Sequence, residues 1–145
     1  MANESQKRRT VVAKHHSISM SVTIKAKPTE VFKALTDAKT ILEWSGQRGK
    51  TEAQIGGKFE MFDGWVKGKV LAFQKAKKLS YTWHPDDWDA KTEASIVRYT
   101  FSATKAGTKI VLKHSGFPDE QSTKEHHGGW TEHVFKPLKG FFEAR

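Results

Sequence analysis

Apolar residues recur at every second position through most of this chain, and at every third or fourth position in a short stretch after the first strand and again near its end. His16, Ile18, Met20, Val22 and Ile24 alternate with Ser17, Ser19, Ser21 and Thr23. That is the period of a strand with one buried and one wet face. Phe59 and Met61 alternate with Lys58 and Glu60; Leu79, Tyr81 and Trp83 alternate with Lys78, Ser80 and Thr82. Val97, Tyr99 and Phe101, then Ile110, Leu112 and His114, continue the pattern. Asp63-Gly64, Lys75–Lys78 and Ala106-Gly107 supply the turns between them. Trp130, Val134, Leu138 and Phe141 instead form a helical stripe, widened by Phe135 and Phe142. Glu132 and Lys136 form an i,i+4 pair on its other side.

Two short helices interrupt the strands. Pro28 suits a first helical turn, and Val31, Phe32 and Leu35 follow at helical spacing, so the helix is expected over 28–36. Asp37 can cap a second helix carrying Ile41, Leu42 and Trp44, which Ser45–Gly49 ends. Ser122-Thr123-Lys124-Glu125 reads as a capping box opening the terminal helix, in which Pro137 predicts a kink. Strands followed by helices imply an α+β fold: a curved antiparallel sheet of six or seven strands around one long C-terminal helix. The 145 residues make one domain, with residues 1–12 expected as a flexible tail.

Composition narrows the chemistry. There is no cysteine, which excludes disulfides, thiolate nucleophiles and Cys-ligated metal. Any chemistry rests on His, Tyr or a carboxylate. No apolar run reaches the ~18 residues of a membrane span, and the N-terminal stretch lacks a signal-peptide apolar region, so a cytoplasmic protein is expected. The net charge is +9. Lys67, Lys69, Lys75, Lys77 and Lys78 crowd one hairpin, yet arginine is scarce and the aromatics are in phase with buried faces. That favours a solvated sheet face over a nucleic-acid surface.

Several stretches resemble a known family in order and in residue type. They are Lys27-Pro28-Thr29-Glu30-Val31-Phe32-Lys33-Ala34-Leu35-Thr36-Asp37, Glu43-Trp44, Ile55-Gly56-Gly57-Lys58-Phe59, Asp63-Gly64, Leu79-Ser80-Tyr81-Thr82-Trp83, His114-Ser115-Gly116-Phe117 and Gly129-Trp130. The set is similar to the bacterial branch of START-like (SRPBCC, birch-pollen-allergen-like) helix-grip proteins named after the activator of heat-shock protein 90 ATPase. The resemblance covers the chain from about residue 15 onward. It implies a cavity between sheet and terminal helix that holds an apolar molecule, and for a few relatives cyclase or hydrolase activity. It also implies chaperone activation, for which the eukaryotic namesake uses a further N-terminal domain without counterpart in these 145 residues.

The inward strand positions then become candidate ligand contacts: Phe59, Met61, Tyr81, Trp83, Tyr99, Phe101, Leu112 and His114, joined by Trp130, Val134 and Leu138 from the helix and Trp44 from the short helices. Pockets are mostly apolar with a few placed polar groups. The same residues equally suit a filled core. His114, in phase with Ile110 and Leu112, should point inward, to hydrogen-bond a ligand, to act as acid or base near neutral pH, or to be satisfied by a backbone carbonyl or Tyr hydroxyl. Glu60 and Glu93 read as outward or loop. His126, His127 and His133 match no metal-site spacing and read as a solvated helix start. Asp86–Asp89 reads as a polar turn, and Gly46-Gln47-Arg48-Gly49 is a weak likeness to a nucleic-acid-binding GXXG loop. The expectation is binding of a small hydrophobic or amphipathic molecule in a carrier, sensor or stress-related role, as a monomer or homodimer, without metal or cofactor. A cyclase or hydrolase, and a chaperone-binding module, are the alternatives.

Overall fold

The computed structural model describes residues 16–145; the expected tail over 1–12 lies outside the described residues. Strand β1 (Ser17–Ile24) leads into helices α1 (Pro28–Thr36) and α2 (Ala38–Ser45). Then come β2 (Lys50–Thr51), β3 (Lys58–Met61), β4 (Val66–Gln74), β5 (Lys78–Pro85), β6 (Ser95–Thr104) and β7 (Gly107–Ser115). A terminal helix follows: α3 (Glu120–Gly129), a π-helical segment Trp130–Phe135, and α4 (Lys136–Glu143). The seven strands form one antiparallel sheet in the order β1-β7-β6-β5-β4-β3-β2. This is the curved-sheet-plus-long-helix fold that the alternation predicts.

The inner sheet face is apolar because the register keeps the alternating residues in phase. Met20 pairs with Leu112 on β7, and Leu112 with Tyr99 on β6. Leu79 faces Tyr99, and Tyr81 faces Val97. Leu79, Tyr81, Trp83, Val97, Tyr99, Phe101, Ile110, Leu112 and His114 are all buried. The lysines at 67, 69, 75, 77 and 78 are all exposed, as a wet sheet face requires.

Both short helices form where expected. Pro28 opens α1, which buries Val31, Phe32, Ala34 and Leu35. The Asp37 carboxylate caps α2 by accepting from Thr40 N at 3.0 Å and Thr40 Oγ1 at 2.8 Å, and these bonds lower its pKa. Trp44 fastens α2 to α1: its indole donates to the Ala34 carbonyl at 2.6 Å.

Two details of the terminal helix differ from expectation. Asp119, not Ser122, is the N-cap: its carboxylate accepts from Ser122 N at 2.7 Å. Pro118 biases its predecessor toward an extended backbone, and the extended Asp119 (φ −157°) then starts the helix. The capping-box reading fails because Ser122 already lies one turn inside. Pro137 does not simply kink the helix. It stands just after a wide turn in which Lys136 N–H bonds the Thr131 carbonyl five residues back. Proline cannot donate to the carbonyl at i−4 and crowds it; widening the preceding turn accommodates both.

No helix among the described residues is long and apolar enough to cross a membrane.

Candidate functional site

The space between sheet and helix is almost entirely filled. Leu35, Met61, Phe62, Tyr81, Trp83, Tyr99, Trp130 and Val134 enclose a void of about 10 Å3, no more than the ~10–15 Å3 a single water needs. Phe59 stacks on Tyr81 with ring centroids 3.7 Å apart and planes at 14°, and reaches Trp83 at 5.7 Å. It does so across β4, whose facing residue is Gly68. A Cβ there would collide with the Thr82 carbonyl on β5. The Tyr81 and Tyr99 hydroxyls bond each other at 3.0 Å. Burial raises both phenol pKa values, so both stay protonated. Phe101 meets Phe32 edge-on at 5.8 Å, and Leu112 and Leu138 are fully buried.

The open space lies at the end of this core. A cleft of about 580 Å3 runs between the β3–β4 turn, the loop after β5, and the terminal helix. Of the residues singled out in the sequence, Trp83, Trp130 and Val134 reach it. Trp44, Phe59, Met61, Tyr81, Tyr99, Phe101, Leu112, His114 and Leu138 lie behind it, in the core. Phe62, Trp65, Trp88 and His126 line the cleft and were not expected there.

Local conformation explains their positions. Phe62, Asp63 and Gly64 take φ of 55°, 58° and 87°, so three successive left-handed residues reverse the chain. Gly64 suits this at no steric cost; Asp63 is held by accepting from Arg48 N at 2.8 Å. The turn leaves Trp65 at the cleft mouth, 38% exposed. Trp88 comes from the polar turn Asp86–Asp89, packed edge-on against His84 at 5.7 Å and Phe117 at 6.3 Å.

His126 does not sit on a solvated face. It is half-buried, in ring contact with Trp65 (6.2 Å, planes at 27°), Trp83 (5.8 Å), Trp88 (5.8 Å) and Phe117 (4.8 Å). The N-cap at Asp119 fixes this. It sets the helix phase so that Ser122, His126, Trp130, Val134 and Leu138 fall on one face. Extending the apolar stripe one step back from Trp130 would have found His126.

Two imidazoles hold two indoles. Trp130 Nε1 donates to His114 Nδ1 at 3.0 Å, and Trp83 Nε1 donates to His126 Nε2 at 3.1 Å. An indole N–H only donates, so each of those ring nitrogens is an acceptor. His114 therefore carries its proton on Nε2, giving it to Ser95 Oγ at 2.8 Å, while Ser95 donates to the Trp83 carbonyl at 2.8 Å. His126 carries its proton on Nδ1, giving it to the Ser122 carbonyl at 2.8 Å. Both rings are neutral, and they hold opposite tautomers. Burial, reinforced by His126, pushes the His114 pKa down to about 2. Burial also lowers that of His126, against the opposing pull of the Ser122 carbonyl, Asp87 and Glu125.

His114 points inward as the alternation predicts. Its partners are a serine hydroxyl and an indole rather than the carbonyl or tyrosine considered above. Both of its ring nitrogens are committed inside the core, Nε2 to Ser95 and Nδ1 to Trp130. Among the described residues no group of three or more His, Asp or Glu is arranged to hold a metal ion.

The comparisons with known proteins agree with the fold. The chain is 26% identical over 127 residues to the mouse and human proteins named activator of 90 kDa heat shock protein ATPase homolog 1, covering 86% of this chain and 36% of each relative. It is 30% identical over 112 residues to the Hsp90 co-chaperone AHA1 of Saccharomyces cerevisiae, covering 70% of this chain and 31% of that one. The chain thus spans about a third of the length of these relatives. Among solved structures, an HSP90 activator from Plasmodium falciparum superposes with a TM-score of 0.77 at 25% identity, covering 87% of this chain and 95% of that one. The Aha1 dimer from Colwellia psychrerythraea, at 18% identity, shares the fold with a TM-score of 0.72 over 88% and 96% of the two chains. The family model described as activator of Hsp90 ATPase homolog 1-like protein matches residues 25–143, and this chain belongs to that family.

Proposed function

We propose that the protein binds a small hydrophobic or amphipathic molecule in the indole-walled cleft, as a carrier or sensor and without catalysis. The observation that carries this is the cleft itself. Its volume of about 580 Å3 lies within the ~300–1,000 Å3 of small-molecule sites. Trp65, Trp83, Trp88 and Trp130 give it an apolar lining, and two of these indoles are pre-positioned by histidines. Of the residues read from the sequence, Trp83, Trp130 and Val134 are the direct contacts; the others support the wall. Native mass spectrometry of the protein purified from its own cells tests this. A co-purified molecule displaced in Trp65→Ala is expected. Protein that carries nothing, and whose tryptophan emission answers no apolar or amphipathic probe, overturns the reading.

Similarity favours a second reading, a module that contacts a heat-shock protein 90 chaperone. It is supported by the match to nearly the whole of a solved HSP90 activator chain. Binding to purified heat-shock protein 90, with a changed ATPase rate, is the expected result, and no binding ends it. Both roles suit a cytoplasmic protein, as a monomer or homodimer.

A further inference from the structure

The cleft has a charge opposite to that of the chain. The protein carries 25 Lys and Arg against 16 Asp and Glu. Yet none of the described residues lining the cleft is Lys or Arg, and three are carboxylates: Asp87, Glu125 and Glu132. Glu132 is engaged by Lys136 at 3.5 Å on the exposed helix face. Asp87 and Glu125 have no ion-pair partner among the described residues, and both act electrostatically on His126 at the cleft wall.

The aromatic surfaces suit the same sign of charge. Indole faces are the best cation–π partners, and sets of aromatic rings beside carboxylates are how proteins hold quaternary and other organic ammonium groups. The Trp83 and Trp130 N–H edges are turned into the protein toward His126 and His114, so they are not donors to a ligand anion. His126 is neutral, with both ring nitrogens occupied, and adds no positive charge. One further group on the cleft wall lacks a partner. Ser122 is only 8% exposed, and its Oγ is the buried side-chain polar atom left without a hydrogen bond among the described residues. A buried hydroxyl without a partner is uncommon.

We infer that the cleft selects organic cations: a molecule with an apolar or aromatic body and an ammonium group, the body against the indoles and the charge beside Asp87 and Glu125. This rests on the cleft being a ligand site, and it adds the sign of the ligand's charge. Neutral molecules of the same shape bind more weakly, and anions more weakly still, despite the net positive charge of the protein.

Three probes with one tail and different heads test this: 4-phenylbutyltrimethylammonium, 4-phenylbutanol and 4-phenylbutyrate, titrated calorimetrically and by tryptophan fluorescence at low salt. The expected order is ammonium, alcohol, carboxylate, with about a tenfold step between the first two from cation–π and carboxylate attraction together. Asp87→Asn and Glu125→Gln, both at exposed side chains, should each reduce the ammonium-to-alcohol affinity ratio about twofold. Trp65→Ala should weaken ammonium and alcohol alike. If the alcohol or the carboxylate binds as tightly as the ammonium, the cation inference is overturned while the cleft remains a ligand site. The same holds if the ratio is unmoved in both carboxylate variants. If none of the three binds at millimolar concentration, both readings fall.

Discussion

Acid should destabilise this protein through His114 in a measurable, group-specific way. The ring is fully buried, and its Nδ1 accepts from Trp130 while Nε2–H donates to Ser95. Protonation would turn Nδ1 from acceptor to donor, facing an indole N–H that cannot accept. It would also place a charge among Trp83, Phe117 and Trp130, at 5.2, 4.2 and 5.8 Å, with His126 the other titratable ring against it at 5.6 Å. The folded-state pKa is therefore depressed to about 2 from the ordinary 6.5. The unfolded chain takes up a proton near pH 6.5 and the folded one does not. The stability present above that value is lost as pH falls below it, by ~1.4 kcal/mol per unit. From neutral pH to about pH 4.5 the cost is ~2.7 kcal/mol, a large share of the 5–15 kcal/mol typical of a domain.

The comparison that isolates the effect is His114→Gln. Glutamine keeps one acceptor and one donor for Trp130 and Ser95 but does not titrate. Urea unfolding of both proteins across this range should show wild type losing about 2.7 kcal/mol more than the variant; the other titrating groups cancel in the difference. The His114 ring, followed by NMR in the wild type, should stay neutral throughout. Parallel stability profiles, or a His114 midpoint near 6.5, would refute the burial argument.

Long-range nitrogen–proton NMR should find His114 as the Nε2–H tautomer and His126 as the Nδ1–H tautomer; the same tautomer in both would contradict the indole hydrogen bonds. Gly68→Ala should destabilise by ~3 kcal/mol or more in thermal or urea unfolding, because its Cβ meets the Thr82 carbonyl on β5; a change under ~1 kcal/mol would show that β4 yields. Gly129→Ala should stabilise by ~0.4–1 kcal/mol, since Gly129 is right-handed helical (φ −62°) and a Cβ meets nothing within 4 Å. The same variant should weaken binding in the cleft it lines, and unchanged binding would place the ligand elsewhere.

The strands were legible because sheet burial has a fixed period. Once Leu79, Tyr81 and Trp83 face inward, the register with Val97, Tyr99 and Leu112 follows. Turns were legible where backbone chemistry demands particular residues, as at Asp63-Gly64. The cap at Asp119 was harder, because Ser122 and Asp119 are both good N-caps and only the path after Pro118 chooses between them. His126 was missed for a related reason: Gly128 and Gly129 break the apolar pattern just where the stripe should have been carried back from Trp130. The distinction between core and cleft was not legible at all. Tyr81 and Trp83 are neighbours in one alternation and both line the 10 Å3 void, yet Trp83 also reaches the 580 Å3 cleft and Tyr81 does not. Periodicity reports which way a side chain points, not whether the volumes opposite fill the space.

Those two glycines carry the last step. Each costs ~1 kcal/mol against alanine inside a helix, and neither is required by sterics, since an added Cβ would meet nothing within 4 Å. Glycines that packing demands look different here: at Gly68 and Gly107 a Cβ would strike backbone. What Gly128 and Gly129 do is leave the helix wall bare where it faces Trp65 and Trp88 across the cleft. The wide π turn begins immediately after them, at Trp130, and such turns often mark functional sites. Below this point the helix packs Leu138 tightly into the core; above it, the same face carries His126 and Ser122 onto an open wall. A helix needed only to close the sheet would gain stability from alanines there. Under the proposed ligand-binding role, the stability forgone at these two residues is what keeps the cleft open.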